Sequence, residues 1–193
     1  MRDFQMTRAP RNDKRERLIQ SADKLIYEQT FHTTTLADIA KLADVPLGNV
    51  YYYFKTKDAI MDAVLKKRAS DWRILFQQWE QIPDIKQRLV ALLNHHVEQS
   101  DTLSRFGCMI GSLCQELGKQ GGGISESAAT LLHDILKWVE GQFSQLGKGE
   151  ESKPLAEHLL ANIQGMSLMS VTFHSPDVLT KQSKNLEDWL QAV

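Results

Sequence analysis

Residues 33–60 read TTTLADIAKLADVPLGNVYYYFKTKDAI, the segment of the chain with the clearest structural signal. Its apolar residues recur at helical spacing in two short runs, separated by a turn around Asp44, where a residue that tolerates the left-handed conformation is needed. Thr35 followed three residues later by Asp38 approximates a capping box and marks the start of the first run. Pro46 can open the second run, because its missing N–H would have no partner there. The stretch therefore predicts a helix-turn-helix.

The second helix of this motif carries residue types that suit contact with nucleic acid. Val50 and Phe54, four residues apart, anchor it to the core and leave other faces to Gly48, Asn49, Tyr51, Tyr52 and Tyr53. Tyrosine rings can pack on the domain while their hydroxyls reach phosphate, and asparagine can bind adenine or phosphate. Lys57 adds a positive charge at the next helix N-terminus, which favours phosphate. The alternative is a helical hairpin with an aromatic packing face and no DNA.

The rest of the chain also has helical periodicity, and strand-like alternation is nearly absent. The pattern predicts an all-α protein of about nine helices, which cover roughly residues 13–29, two short runs in 35–54, 57–81, 84–100, 106–119, 124–146, 152–173 and 176–193. We expect a DNA-binding domain with an N-terminal arm in residues 1–56, and a helical effector-binding and dimerisation domain in residues 57–193.

Charge and cysteine usage narrow the class of protein. Residues 1–17 hold six Lys or Arg against three acids, whereas residues 61–193 hold 13 basic and 16 acidic residues, as expected of a protein that meets phosphate at one end. Cys108 and Cys114 are six apart, which on one helix means a rotation of roughly 240° and precludes pairing. Two unpaired cysteines, no signal-like apolar segment and no apolar run of membrane-spanning length predict a cytoplasmic protein.

The pattern T-L-x-D-I-A-x-x-A-x-V-x-x-G-x-V-Y-Y-Y-F-K-x-K-D-A-I resembles the DNA-binding signature of the TetR family of bacterial repressors. The close match covers roughly residues 13–62, and the total length also fits. The family departs from this chain at Asp44, where glycine is frequent, and at Leu47, where a polar base reader is common; Leu47 can instead touch a thymine methyl. The resemblance implies that the DNA contacts are Thr35, Leu47, Gly48, Asn49, Tyr51, Tyr52, Tyr53 and Lys57.

The resemblance also implies that the C-terminal region binds an inducer and forms a dimer. Trp72, Phe76 and Trp79 share one stripe of the fourth helix and can line a pocket for an apolar or aromatic molecule. A core-facing stripe is the alternative. The last two helices have broad apolar faces, which can be buried within one chain or in a homodimer that matches a palindromic operator.

The segment from Phe106 to Leu117, FGCMIGSLCQEL, holds a candidate sensor. A thiol in the first turn of a helix has a lowered pKa, and Arg105 can add to this effect at Cys108. The pattern G-C-x-x-G-x-L-x-x-E-L resembles a TetR subfamily of electrophile-responsive regulators of the NemR type, in which the cysteine that matches Cys108 is reactive. The alternative is a small core residue, the role we expect of Cys114.

Neither catalysis nor a metal or other cofactor is predicted. The adjacent His95 and His96 diverge by ~100° on a helix and complete no ligand set. We expect a dimeric repressor that a small molecule or thiol modification releases from DNA. Two alternatives remain open, a constitutive DNA-binding protein and a ligand-binding protein that has lost DNA binding.

Overall fold

The computed structural model describes residues 11–119 and 121–193, and every regular element in these ranges is helical. The all-α prediction is therefore confirmed. Arg2 and Arg8 of the basic leading segment lie outside the described residues. The α-helices are α1 (Arg11–Gln29), α2 (Leu36–Leu42), α3 (Leu47–Tyr53), α4 (Lys57–Trp79), α5 (Ile85–Glu98), α6 (Ser100–Phe106), α7 (Gly111–Gly118), α8 (Gly123–Gln145), α9 (Ser152–Phe173) and α10 (Asp177–Ala192).

The chain divides into two compact units, residues up to Lys66 and Lys67–Val193. The boundary expected from the sequence follows residue 56, at the start of α4, whereas this division falls inside α4. The first turns of α4 carry fully buried Ile60, Met61 and Val64, so this part of α4 contributes to the core of the first unit.

In the first unit, α1 packs on α2 and α2 packs on α3. The face of α1 that the periodicity predicts is buried, since Leu18 and Ala22 are inaccessible and Leu25 and Ile26 nearly so. Ile39 of α2 and Val50 of α3 are fully buried and close this small core. Burial of each such aliphatic side chain stabilises the fold by about 1.5–3 kcal/mol, which holds the two short helices in place.

In the second unit, α8 packs on both α7 and α9, and α10 packs on α5 and α9. The buried residues of these helices recur at helical spacing, as for Leu89, Leu92 and Leu93 of α5. Within the described residues, no helix is both long enough and apolar enough to cross a membrane.

The greatest difference from the predicted helices lies between residues 99 and 111. Gln99 leaves the helical conformation and separates α5 from α6, a helix that the sequence pattern does not resolve. Gly107 then ends α6 with a φ of 76°, in the region that favours glycine. As a result α7 begins at Gly111 and not at residue 106. Cys108 lies in the turn before α7, so the rotation argument that separated it from Cys114 does not apply.

Candidate DNA-binding surface and effector region

The start of α2 is fixed by a capping box between Thr35 and Asp38, as the sequence predicts. The Asp38 amide donates to Thr35 Oγ1 at 3.1 Å, and the Thr35 amide donates to Asp38 Oδ2 at 3.1 Å. The Thr35 hydroxyl also donates to Asp38 Oδ2 at 2.6 Å. These hydrogen bonds to Thr35 lower the pKa of the Asp38 carboxyl. The hydroxyl proton of Thr35 is thus used inside the cap, which leaves only acceptor capacity for an outside partner.

The turn between α2 and α3 has the left-handed residue that the sequence predicts at Asp44, with a φ of 52°. The Asp44 amide donates to Lys41 O and the Val45 amide donates to Ala40 O, at 3.3 and 3.0 Å. This pair of hydrogen bonds is a Schellman motif, which satisfies the last carbonyls of α2 and reverses the chain. The turn therefore sets the angle at which α3 leaves α2.

Helix α3 has one buried side and one open side. Val50 is buried within it, and Phe54, which ends it, is buried as well. Tyr52 is 58% exposed, and its ring meets that of half-buried Tyr53 edge-on at a centroid distance of 5.1 Å. The exposed residues of the open side are Leu47, Gly48, Asn49, Tyr51 and Tyr52. The structure thus brings five of the predicted DNA contacts to one exposed stretch.

Gly48 has no structural reason to be glycine within this chain. A Cβ added there meets no atom within 4 Å, and its φ is outside the left-handed region. Glycine in a helix interior costs about 1 kcal/mol relative to alanine, and the packing around Gly48 gives it no compensating role. Close approach of another molecule to the backbone of α3 is one role that a residue without a side chain can serve.

Lys57 contacts the protein interior. Its ammonium donates to the carbonyl oxygens of Phe31, His32 and Thr34, at 2.6, 3.1 and 2.9 Å. It also lies 4.4 Å from the centroid of the Phe31 ring. The phosphate contact that the sequence predicts for Lys57 therefore competes with three hydrogen bonds inside the protein.

Trp72, Phe76 and Trp79 join a larger aromatic cluster in the second unit. Phe76 stacks on Trp138 of α8 at a centroid distance of 4.8 Å and an angle of 7°. His95 lies edge-on to Trp72 and Trp79, at 5.5 and 5.8 Å. Sequence reasoning missed Trp138, although the spacing of Leu131, Ile135 and Trp138 on α8 is a signal for a core-facing stripe.

His96 is buried within this region and is neutral. Its Nδ1 lies 2.9 Å from Leu92 O, and since a carbonyl can only accept, Nδ1 carries the proton. Burial lowers the pKa of His96 from 6.5 to about 4, and the neighbouring His95 contributes in the same direction. The imidazole thus has one donor bound to the backbone and one unprotonated nitrogen, Nε2.

A cavity of about 250 Å³ opens beside the cluster. Trp72 and Phe76 supply its aromatic wall, while Arg73 and Asp134 supply charge. The remaining lining residues are Ala69, Leu131 and Ile135. This volume lies just below the range of about 300–1,000 Å³ that is usual for small-molecule sites. Of the predicted stripe, Trp79 is buried and does not line this cavity.

The two cysteines have different surroundings. Cys108 Sγ accepts a hydrogen bond from the Gly111 amide at 3.4 Å, so its thiol lies at the start of α7 although the residue precedes the helix. Cys114 donates to Ala128 O at 3.3 Å, and burial raises the pKa of its thiol. Arg105, expected to assist Cys108, has its guanidinium 5.0 Å from the Phe106 ring.

At Gly111 the start of α7 meets the end of the Gln164 side chain of α9. A Cβ at this position would overlap Gln164 Oε1 and would lie 3.5 Å from Cys108 Cβ. The Cys108 turn is therefore packed directly against α9.

Comparison with known proteins finds a matching family model and similar chains. A model for bacterial regulatory proteins of the tetR family matches residues 18–64. The chain is similar to the transcriptional repressor DhaR of Mycobacterium sp. (strain GP1), with 27% identity over 171 residues, which span 82% of each protein.

Solved structures share the fold. A TetR-family transcriptional regulator from Streptomyces coelicolor superposes with a TM-score of 0.83 at 20% identity, over 94% of this chain and 96% of that one. The reduced form of NemR from Escherichia coli superposes with a TM-score of 0.80 at 19% identity, over 91% of this chain and 96% of that one.

Proposed function

Because the chain belongs to the TetR family of bacterial transcriptional regulators, we propose that it is a dimeric repressor of a palindromic operator. A small apolar or electrophilic molecule releases it from DNA, either by filling the cavity beside Trp72 and Phe76 or by modifying Cys108. We propose a cytoplasmic location, because the partner is DNA and both cysteines are unpaired.

The observation that carries the proposal is the open side of α3. Asn49 is exposed where it can pair with a base edge, Tyr51 and Tyr52 present hydroxyls, and Gly48 leaves the backbone accessible. A helix of this width fits the major groove of B-DNA. Leu47 offers an apolar contact for a thymine methyl, and Thr35 offers an acceptor at the start of α2. Tyr53, half-buried against Tyr52, supports the exposed ring.

The exposed apolar side of α9 supports a dimer through the last two helices. Leu168, Met169 and Phe173 are 56%, 44% and 63% exposed, a large apolar area to leave in water. Beside them is a cavity of about 260 Å³ that reaches α10 and is lined by Ala161, Asn162, Gly165, Met166, Met169, Gln182 and Leu186. A second copy can cover this face by two-fold symmetry, and a two-fold dimer is what a palindromic operator requires.

The Cys108 turn supports release by thiol modification. Its thiol is half-buried and accepts a hydrogen bond from the Gly111 amide, beside which the Gln164 side chain of α9 lies. An adduct adds atoms next to this side chain, and added volume in a packed region is accommodated by moving neighbouring groups. Movement of α9 would then alter the dimer on which operator binding depends.

Selection of bound fragments from a genomic or random DNA library tests the proposal. We expect an inverted repeat whose half-sites are about one or more B-DNA turns apart, and a dimer in sedimentation velocity at micromolar concentration. N-ethylmaleimide or a quinone should release the selected duplex from the wild type but not from Cys108→Ser, with Cys114→Ser as the matched control.

Each part of the proposal has its own contradicting outcome. A monomer that selects no sequence would refute the repressor. Specific binding that neither electrophiles nor a panel of aromatic compounds reverses would favour a constitutive DNA-binding protein. If Cys108→Ser still releases DNA on treatment, the aromatic cavity becomes the better candidate for the effector site.

A further inference from the structure

We propose that Lys55 and Arg15 supply the phosphate-binding charge beside α3, and that Lys57 is an internal positioning residue that makes no DNA contact. The inference rests on the DNA binding proposed above and assigns its electrostatic part to two residues that the predicted DNA contacts do not include.

The ammonium of Lys57 already has a hydrogen-bond acceptor for each of its three N–H groups. It has three N–H donors, and three backbone carbonyls accept them, those of Phe31, His32 and Thr34. The half-buried side chain also places its charge 4.4 Å from the Phe31 ring, a favourable cation–π contact. Two of these acceptors, Phe31 O and Thr34 O, are part-buried, so turning the ammonium away from them towards a phosphate would leave them unpaired, which is costly.

The Lys57 hydrogen bonds connect the two segments that flank the helix-turn-helix. Thr34 directly precedes the cap of α2, and Lys57 is the first residue of α4. One ammonium therefore ties the chain just before α2 to the chain just after α3. The helix-turn-helix lies between these two points, so the Lys57 contacts keep α3 at its position in the first unit.

Two other basic residues, Lys55 and Arg15, lie near the end of α3. Phe54 ends this helix, and Lys55 follows it with an exposed side chain in the turn before α4. The guanidinium of exposed Arg15 lies 5.2 Å from the centroid of the Phe54 ring. Stacking on a ring leaves the N–H edge of a guanidinium able to bind phosphate. The Arg15 guanidinium thus lies beside Phe54, and Lys55 directly follows Phe54 in the chain, at the end of the helix that we propose enters the major groove.

Lysine footprinting of the wild-type protein tests the assignment directly. The protein is acetylated briefly with an N-hydroxysuccinimide ester, alone and with a mixed-sequence duplex of about 30 base pairs, three turns of B-DNA, and modification is read by mass spectrometry. We expect Lys55 to react faster than Lys57 in the free protein, and the duplex to protect Lys55 while Lys57 is unchanged. If Lys57 reacts as fast as Lys55 and DNA protects it, the assignment is wrong.

Matched variants separate charge from position. Lys55→Met should flatten the dependence of log K on log salt by about 0.9 per protomer for the same duplex, with the thermal midpoint unchanged, and Arg15→Met should behave alike. Lys57→Met removes the same charge but should lower the thermal midpoint and leave the slope unchanged. A slope that Lys57→Met flattens as much as Lys55→Met does, at an unchanged midpoint, would overturn the proposal.

If Lys57→Met does not fold, that result itself supports a positioning role, and Lys57→Arg provides a second test. A planar guanidinium cannot direct three donors at these carbonyls, so the arginine variant should lose stability although it keeps the charge. Full stability with full affinity would instead mark a phosphate contact. If no variant, nor the wild type, binds any duplex, the proposed function fails, while the midpoints and the free-protein labelling still decide the role of Lys57.

Discussion

Acid should destabilise this protein through one buried histidine. The imidazole of His96 is neutral in the folded chain, where burial lowers its pKa from 6.5 to about 4. In the unfolded chain its imidazole titrates at the ordinary pKa of 6.5 and is protonated below that pH. Folding therefore releases a proton between these two values, and the free energy of unfolding falls as the pH drops from about 6.5 towards about 4.

The size of the effect follows from the two pKa values. Each unit of difference is worth about 1.4 kcal/mol once the pH is below both, which gives about 3 kcal/mol in full. Between about pH 7.5 and about pH 5, the linkage relation gives a loss of about 2 kcal/mol. With a urea m-value of about 2–3 kcal/mol/M, this loss moves the unfolding midpoint by roughly 0.7–1 M.

His96→Gln isolates this contribution, since an amide can still donate to Leu92 O but does not titrate. Urea unfolding of wild type and variant is followed by tryptophan fluorescence at both pH values and at one protein concentration, because dimerisation would make the midpoint depend on concentration. His95→Gln is the matched control: burial also lowers the pKa of half-buried His95, so this variant should remove a smaller part of the pH dependence. A His96→Gln variant with the same pH dependence as the wild type would refute the reasoning.

Three further predictions concern the proposed function. Asn49→Ala should relax the preference at one base position of the selected operator by about 1–3 kcal/mol, measured by competition with duplexes changed at single positions; an equal loss on selected and random DNA would mean that Asn49 contacts only the backbone. N-ethylmaleimide should modify Cys108 before Cys114, because burial raises the pKa of the Cys114 thiol and reduces its thiolate fraction; mass spectrometry after brief treatment decides, and a first adduct on Cys114 would contradict it. Phe173→Glu places a charge on the exposed apolar side of α9 and should shift the protein towards monomer in sedimentation velocity, whereas an unchanged dimer would argue for another interface.

The helices and turns of the first unit could largely be predicted from the sequence, because their signals are local. A capping box, a left-handed turn residue and a helical stripe each depend on residues within a few positions, and the structure confirms them at Thr35, at Asp44 and along α1. The role of Lys57 could not be predicted in this way. Its carbonyl partners lie 23 to 26 residues earlier in the chain, and backbone oxygens leave no trace in the residue types.

In the second unit, hydrophobic periodicity alone does not predict which helices meet. Periodicity predicts the stripe of Trp72, Phe76 and Trp79 but not its partner Trp138, because Trp138 contacts Phe76 only through the packing of separate helices. It also extends one helix through Ser100 and starts the next at residue 106. A single residue with altered dihedrals, Gln99, separates two helices without interrupting the apolar pattern.

Gly48 and Gly111 should differ in which property of the protein a substitution changes. At position 111 a Cβ would meet the end of the Gln164 side chain, so alanine should lower abundance to the extent that this side chain cannot turn away. At position 48 the space is empty, and alanine, the better helix former, should raise abundance. Only a screen for operator occupancy would remove it. Under the proposed function, glycine at position 48 would thus serve the contact of α3 with DNA and not the stability of the chain.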